Sequence, residues 1–295
     1  MNLRHIKYTV LPLLALVFSH TAEAIYWPCQ DQQKKEQLLE SLTLNAGYTS
    51  PRGIGREEGY ASLGAFFCPE ARCGYWDPLL ELQGHRLNDG KWAANVGVGL
   101  QTAFPTYKAK LRGYAYVDYL QGEFGNFKEV SIGAEWLGCL FDARINGYFP
   151  LNEHGNRKKT RFDYGNGAVA NRFENEASLR GLDLEVSAWL NPFPCVDLYS
   201  TLGTYTYRFD NSHCGNRNHI FGGLVRFEIP LFLGLNVSLQ TSYDEVFKSR
   251  SFVQVNWDFP LAMFNGCDSK NSCCPRIRRQ EIMPLTRLCY WKTNY

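Results

Sequence analysis

Thirteen ionisable side chains recur at alternate positions within otherwise apolar stretches. They are Lys110, Arg112, Asp118, Glu135, Asp142, Arg144, Asp183, Glu185, Asp197, Arg226, Glu228, Asp244 and Asp258, nine acidic and four basic. A spacing of two puts such residues on one face of an extended strand. Their chemistry is that of binding rather than bond-making: an acid-rich, ion-paired surface suited to water and to cationic groups. The pair Asp183 and Glu185 could in principle divide acid and base roles, but it reads as part of the same charge network. No G-x-S-x-G or H-E-x-x-H occurs, and no spacing groups Ser with His. The chain is therefore expected to be no enzyme and to need no cofactor. Cys68-x4-Cys73 and Cys267-x5-Cys273-Cys274 lack the tight pairs of a structural zinc site. His213-Cys214 with His219 reads as a polar loop, so no metal site is expected.

The ten cysteines carry the second possible chemistry. An even number in an exported chain points to disulfides without giving their connectivity. The candidates are Cys29, Cys68, Cys73, Cys139, Cys195, Cys267, Cys273, Cys274 and Cys289. All nine are expected at one rim of the fold, with Cys214 alone at the other. Bridges within that rim and bridges to neighbouring envelope proteins are both open.

Strands must position these groups. Residues 129–151 read EVSIGAEWLGCLFDARINGYFPL, two alternating stretches joined by Leu137-Gly138-Cys139, which is a hairpin. Twelve segments of this kind follow one another: about 41–49, 59–67, 78–86, 93–102, 109–119, 127–137, 140–149, 179–190, 196–207, 219–229, 234–243 and 251–260. Connections at 138–139, 191–195 and 230–233 are short. Those at 120–126, 208–218 and 244–250 are longer, and 150–178 is longest, so long and short are expected to alternate strictly in this half. The pattern predicts an all-β fold, an antiparallel up-and-down transmembrane β-barrel of about twelve strands. Opposite the charges lie stripes such as Leu182, Leu184, Val186, Ala188 and Leu190, or Val253, Val255, Trp257 and Phe259. A soluble ligand-binding barrel would turn these stripes inward, and a membrane barrel would turn them outward. Three features favour the membrane. Twelve strands enclose too wide a lumen to fill with a dry core. Loop lengths alternate. Trp136, Phe149, Trp257 and Phe259 sit at strand ends, where interfacial girdles belong.

Composition agrees. Aromatic residues make up 15% of the 295 residues, Gly numbers 26, and the formal net charge is +2, which gives no reason to expect nucleic acid as a partner. Arg4, His5 and Lys7, an apolar run from Tyr8 to Ser19 and the small-x-small Ala22-Glu23-Ala24 predict a signal peptide over 1–24. The remaining organisation is expected to be a short periplasmic segment at 25–40, the barrel at 41–261 and a Cys- and Arg-containing tail at 262–295. Arg276, Arg278, Arg279, Arg287 and Lys292 of that tail could occupy the pore, held by the acids.

Gly133-Ala134-Glu135-Trp136-Leu137 followed by Asp142-Ala143-Arg144-Ile145-Asn146-Gly147-Tyr148-Phe149-Pro150-Leu151 resembles the signature hairpin of the inverse autotransporter β-domain, the intimin/invasin type. Gly181 to Val186, Tyr205 to Phe209, Gly222 to Glu228 and Ser251 to Val255 continue in the family's order. The likeness covers about residues 95–261. It implies a bacterial outer-membrane barrel that exports or anchors a C-terminal segment at the cell surface for adhesion. It also implies outer-membrane lipid and the barrel assembly machinery as partners. The family's large passenger has no counterpart in the roughly 34 residues after Leu261, which are too few for an immunoglobulin-like domain. A porin or a disulfide-linked structural envelope barrel is the main alternative, and a soluble secreted ligand-binding barrel the other.

Overall fold

The computed structural model describes residues 41–152, 155, 158–163, 169–193, 196–208, 219–261 and 276–294. The expected signal peptide, the segment 25–40 and Cys29, Cys195, Cys214, Cys267, Cys273 and Cys274 lie outside them. In chain order the strands are β1 (Leu42–Thr49), β2 (Tyr60–Phe67), β3 (Asp77–Leu87), β4 (Trp92–Phe104), β5 (Ala109–Gln121), β6 (Asn126–Leu137) and β7 (Asp142–Pro150). After them come β8 (Lys158–Asp163), β9 (Val169–Ser178), β10 (Arg180–Phe193), β11 (Val196–Arg208), β12 (His219–Pro230), β13 (Leu235–Asp244), β14 (Lys248–Pro260) and β15 (Leu285–Asn294).

Twelve of these form a closed antiparallel barrel, each strand paired with its neighbours and β1 with β14. The closing seam runs from Thr43 opposite Pro260 to Thr49 opposite Gln254. Closure leaves no free edge, so every barrel strand spends its main-chain groups on two partners. Tight turns are built where the chain can take left-handed backbone. In the β12–β13 turn, Leu233 and Gly234 have φ of 54° and 78°, and a Cβ on Gly234 would lie 1.9 Å from the Asp258 carbonyl oxygen.

The period of two now acquires a direction. Leu63, Val96, Ile132, Leu184, Leu202, Leu239 and Val255 point outward and are exposed. Arg112, His85, Gln101 and Thr201 on the opposite face are fully shielded. The charged stripe faces the lumen, the reverse of a soluble barrel with a dry apolar interior. Aromatic side chains cluster at the rim that carries the β4–β5, β6–β7 and β12–β13 turns. Phe104 stacks on Trp136 at 5.9 Å, Trp189 meets Tyr199 at 4.9 Å, and Trp257 meets Phe259 edge-on at 5.8 Å. We call this the short-turn rim, and the opposite one the long-loop rim.

Four expectations need correction. Connection length does not alternate strictly in the later half, because 122–125 and 245–247 at the long-loop rim are as tight as the turns opposite. The flanking strands extend further than their alternation suggested. Gly122 donates its N–H to the Gly125 carbonyl at 2.7 Å, and Asp244 accepts the Val246 and Phe247 N–H groups at 2.8 and 2.6 Å. The segment 150–178 is also more than a connection. Its β8 and β9 join β15 in a separate three-stranded sheet of order β15-β9-β8. The C-terminal segment therefore does not all occupy the lumen. Arg287 and Lys292 belong to β15, and Cys289, paired in register with Glu174 of β9, lies at the long-loop rim rather than with Cys68, Cys73 and Cys139 at the short-turn rim.

Candidate functional site: the lumen and the segment that crosses it

Between Leu261, near the short-turn rim, and β15 beyond the long-loop rim, the chain passes through the barrel. Residues 276–284 carry it across. Ile277 packs with Phe66, Cys68, Leu79, Tyr114 and Tyr116. Further along, Ile282 and Met283 pack with Tyr60, Leu87, Ala93, Leu120 and Phe127. These apolar shelves fix depth. The charges fix register. Arg279 makes a two-pronged bond to Asp118, at 2.5 and 2.9 Å, and stacks 3.8 Å over the Tyr116 ring. Arg276 donates to Glu81 at 2.8 Å and pairs with Glu281 at 2.9 Å. Arg278 reaches the other way, pairing with Glu228 at 2.6 Å and lying 4.4 Å over Tyr199.

The wall also binds the segment's main chain. The Arg278 N–H donates to Glu135 at 3.1 Å, and the Gln280 N–H to the Tyr148 hydroxyl at 2.9 Å. Asn95 donates to the Glu281 carbonyl at 2.8 Å. At the exit, Gly55 accepts the Leu285 N–H at 3.0 Å, and Leu179 donates to the Pro284 carbonyl at 3.2 Å. Gly55 has φ of 60°, and an added Cβ would sit 2.6 Å from the Pro284 side chain, so glycine is required twice over. Buried main-chain groups need partners, and an extended segment away from water finds them on the wall.

Six of the thirteen charges join in one chain of ion pairs around the wall. Arg112 pairs with Glu135 (3.6 Å), Glu135 with Arg144 (3.4 Å), Arg144 with Glu185 (3.3 Å), Glu185 with Arg226 (2.5 Å) and Arg226 with Glu228 (2.9 Å). Glu228 hands the chain to Arg278 of the crossing segment. Asp142 lies 3.8 Å from Arg144. Asp118 stands apart with Arg279, and Asp183 accepts from Asn146 and Tyr148 at 2.7 and 2.6 Å. Asp244 accepts from Tyr205 at 2.6 Å. Lys110 is half-buried at the short-turn rim, and the Asp197 side chain lies outside the described residues. Sequence reasoning missed Glu81, Gln83, His85, Asn95 and Glu129, all buried. A signal existed in Glu81, Gln83 and His85 at alternate positions of β3.

Not all of the lumen is filled. A cavity of about 600 Å³ remains along β1 and β12–β14, reaching from the Leu231–Gly234 turn to Ile54 in the β1–β2 connection. Part of its wall is neutral, with Asn45, Asn236, Ser238, Gln240, Gln254 and Asn256, while Asp183, Glu185, Arg226, Glu228, Asp258, Arg56 and the crossing segment at 276–281 supply charges of both signs. Ile54 closes the far end, packed with Tyr148, Leu179, Tyr205, Tyr207, Ile220 and Leu224.

Among the cysteines, Cys68 is disulfide-bonded, while Cys73 and Cys139 are free and exposed at the short-turn rim.

The sequence matches no family model and no curated protein. Its fold is similar to solved structures. A chain from the structural work "Unveiling the Mechanism Behind the in-meso Crystallization of Membrane Proteins" superposes with a TM-score of 0.59 at 14% identity, covering 84% of this chain and 99% of that one. The NanC porin gives 0.40 at 10% identity, covering 73% and 97%. The β domain of the Bordetella autotransporter BrkA gives 0.33 at 12%, covering 74% and 98%. The first of these places the chain with a known barrel fold.

Proposed function

We propose that this protein is a barrel of the bacterial outer membrane that carries its own C-terminal segment through the lumen and holds it at the cell surface, as an inverse-autotransporter translocator or anchor does. The observation that carries the reading is the path of residues 276–284, gripped on side chain and main chain from one rim to the other and followed by a strand paired beyond the lumen. The exposed apolar belt with its aromatic short-turn rim supports insertion in lipid, since so much exposed Leu, Val and Ile is untenable in water. Its partners are then outer-membrane lipid and the barrel assembly machinery. An even strand number puts β1 and β14 ends at one rim, so the short turns face the periplasm. An epitope tag appended after Tyr295 tests the reading in intact cells. Antibody should label it without permeabilisation, and labelling that requires permeabilisation contradicts surface display.

A second reading rests on the exposed thiols. Cys73 and Cys139 at the periplasmic rim are placed to bond neighbouring envelope proteins. High-mass bands on non-reducing gels that collapse with reductant support it, and a monomer band alone refutes it.

A further inference from the structure

The unfilled cavity ends at a charged group that the crossing segment does not use. Arg56, in the β1–β2 connection, is 7% exposed and faces the cavity. Its guanidinium lies 4.4 Å over the Tyr60 ring and 5.6 Å from that of Phe252. One nitrogen, Nη2, donates to the Ser50 carbonyl at 3.5 Å, whereas Nε and Nη1 have no hydrogen-bond partner on the protein. Gly53 makes this placement possible, since a Cβ there would stand 2.6 Å from Nη2.

Glu281 acts on Arg56 only through space, being itself engaged by Arg276 and by the Tyr60 hydroxyl. Burial accordingly pushes the Arg56 pKa below its ordinary value. A buried cation without a bonded counter-ion is costly, and evolution seldom leaves one without use.

Two other residues of the cavity wall carry unpartnered donors of the same sense, buried beneath its surface. Asn45 Nδ2, with Asn45 5% exposed, and Arg278 Nη1 are buried donors without partners. Carboxylates face the cavity too, but Arg226, Arg276, Arg278 and Arg279 are each paired with one, which leaves Arg56 as the lining cation, among the described residues, without a bonded carboxylate. Amides of Gln240, Gln254 and Asn256 continue the wall, and such groups both donate to and accept from hydroxyls. The combination is one planar cation without a bonded carboxylate, aromatic rings beside it and neutral amides along part of the wall, the remaining charges being paired among themselves. It matches a small solute with an oxyanion at one end and hydroxyls along its body.

We propose that the blind end of this cavity is a binding site for a polyhydroxylated oxyanion, a sugar acid or a sugar phosphate, with Arg56 as the receptor for the charged group. The crossing segment forms one side of the site through residues 276–281, and the proposal does not depend on surface display.

The test uses the full chain in detergent, with labelled glucuronate and glucose 6-phosphate in equilibrium dialysis and glucose as the neutral control. Saturable binding of either anion, with glucose at least tenfold weaker, is expected. Binding of glucuronate alone identifies a carboxylate site, and binding of glucose 6-phosphate alone a phosphate site. Arg56→Gln should lower affinity at least tenfold while keeping the heat-modifiable gel mobility of the folded barrel. If that variant lacks the folded band, Asn45→Ala serves instead, with an expected loss of about threefold. The proposal is overturned if neither anion saturates, if glucose binds as well as the anions, or if the folded variant binds like the parent chain.

Discussion

The two halves of the lumen solve the problem of a wide barrel differently. Along β3–β7 the crossing segment supplies cations to Glu81 and Asp118, a main-chain donor to Glu135 and apolar side chains to two shelves. Along β1, β13 and β14 the wall is mostly Asn, Gln and Ser and the space stays open, bounded by Arg226 and Glu228 of β12, where Glu228 meets Arg278. The contrast is one of chemistry as much as volume. Buried charges must be matched by a fixed partner. Neutral amides are content with whatever polar molecule is present, so they line the half that is not occupied by protein.

The comparison can be broken most forcefully at Arg279. Its pair with Asp118 is almost wholly buried, and leaving either charge alone costs about 3–5 kcal/mol. Arg279→Met should lower the urea midpoint of the folded gel band accordingly. Arg279→Met combined with Asp118→Leu should recover most of the loss, because the unmatched carboxylate is then gone. A double variant as unstable as the single one would mean that the pair does not hold the segment.

A smaller effect is expected at the exit. Gly55→Ala places a methyl against Pro284 in left-handed backbone and should cost about 1–2 kcal/mol. Its signature is local: faster proteolysis within 285–294 while the barrel itself stays resistant. Smallest of all are changes in the open half. Gln254→Ala and Asn236→Ala touch only weak bonds of 3.3 Å and should shift stability by no more than about 0.5 kcal/mol. A larger shift at these sites would erase the distinction between the halves.

The barrel was legible because its code is local. The later barrel strands follow from residues alternating over about ten positions, the first three being weakly patterned, and the lumen face of β5–β7 and β10–β14 follows from the same parity. What stayed hidden was non-local. In Val169–Ser178 and Leu285–Asn294 the alternation is blurred, and their pairing depends on a chain crossing the whole barrel. That crossing also explains why Cys289 sits at the rim opposite to Cys68, Cys73 and Cys139. The connection 50–59 was unreadable for a related reason. Nothing in its sequence says that Ile54 and Arg56 fold into the lumen, which only the shape of the enclosed space decides.

Conductance in planar bilayers tests the central claim most directly, that residues 276–284 fill half of a water-lined lumen. The full chain should pass little current, and a chain lacking residues 276–295, verified as folded by its heat-modifiable band, should give a stepwise larger single-channel conductance. Equal conductance from the two folded proteins would contradict the account.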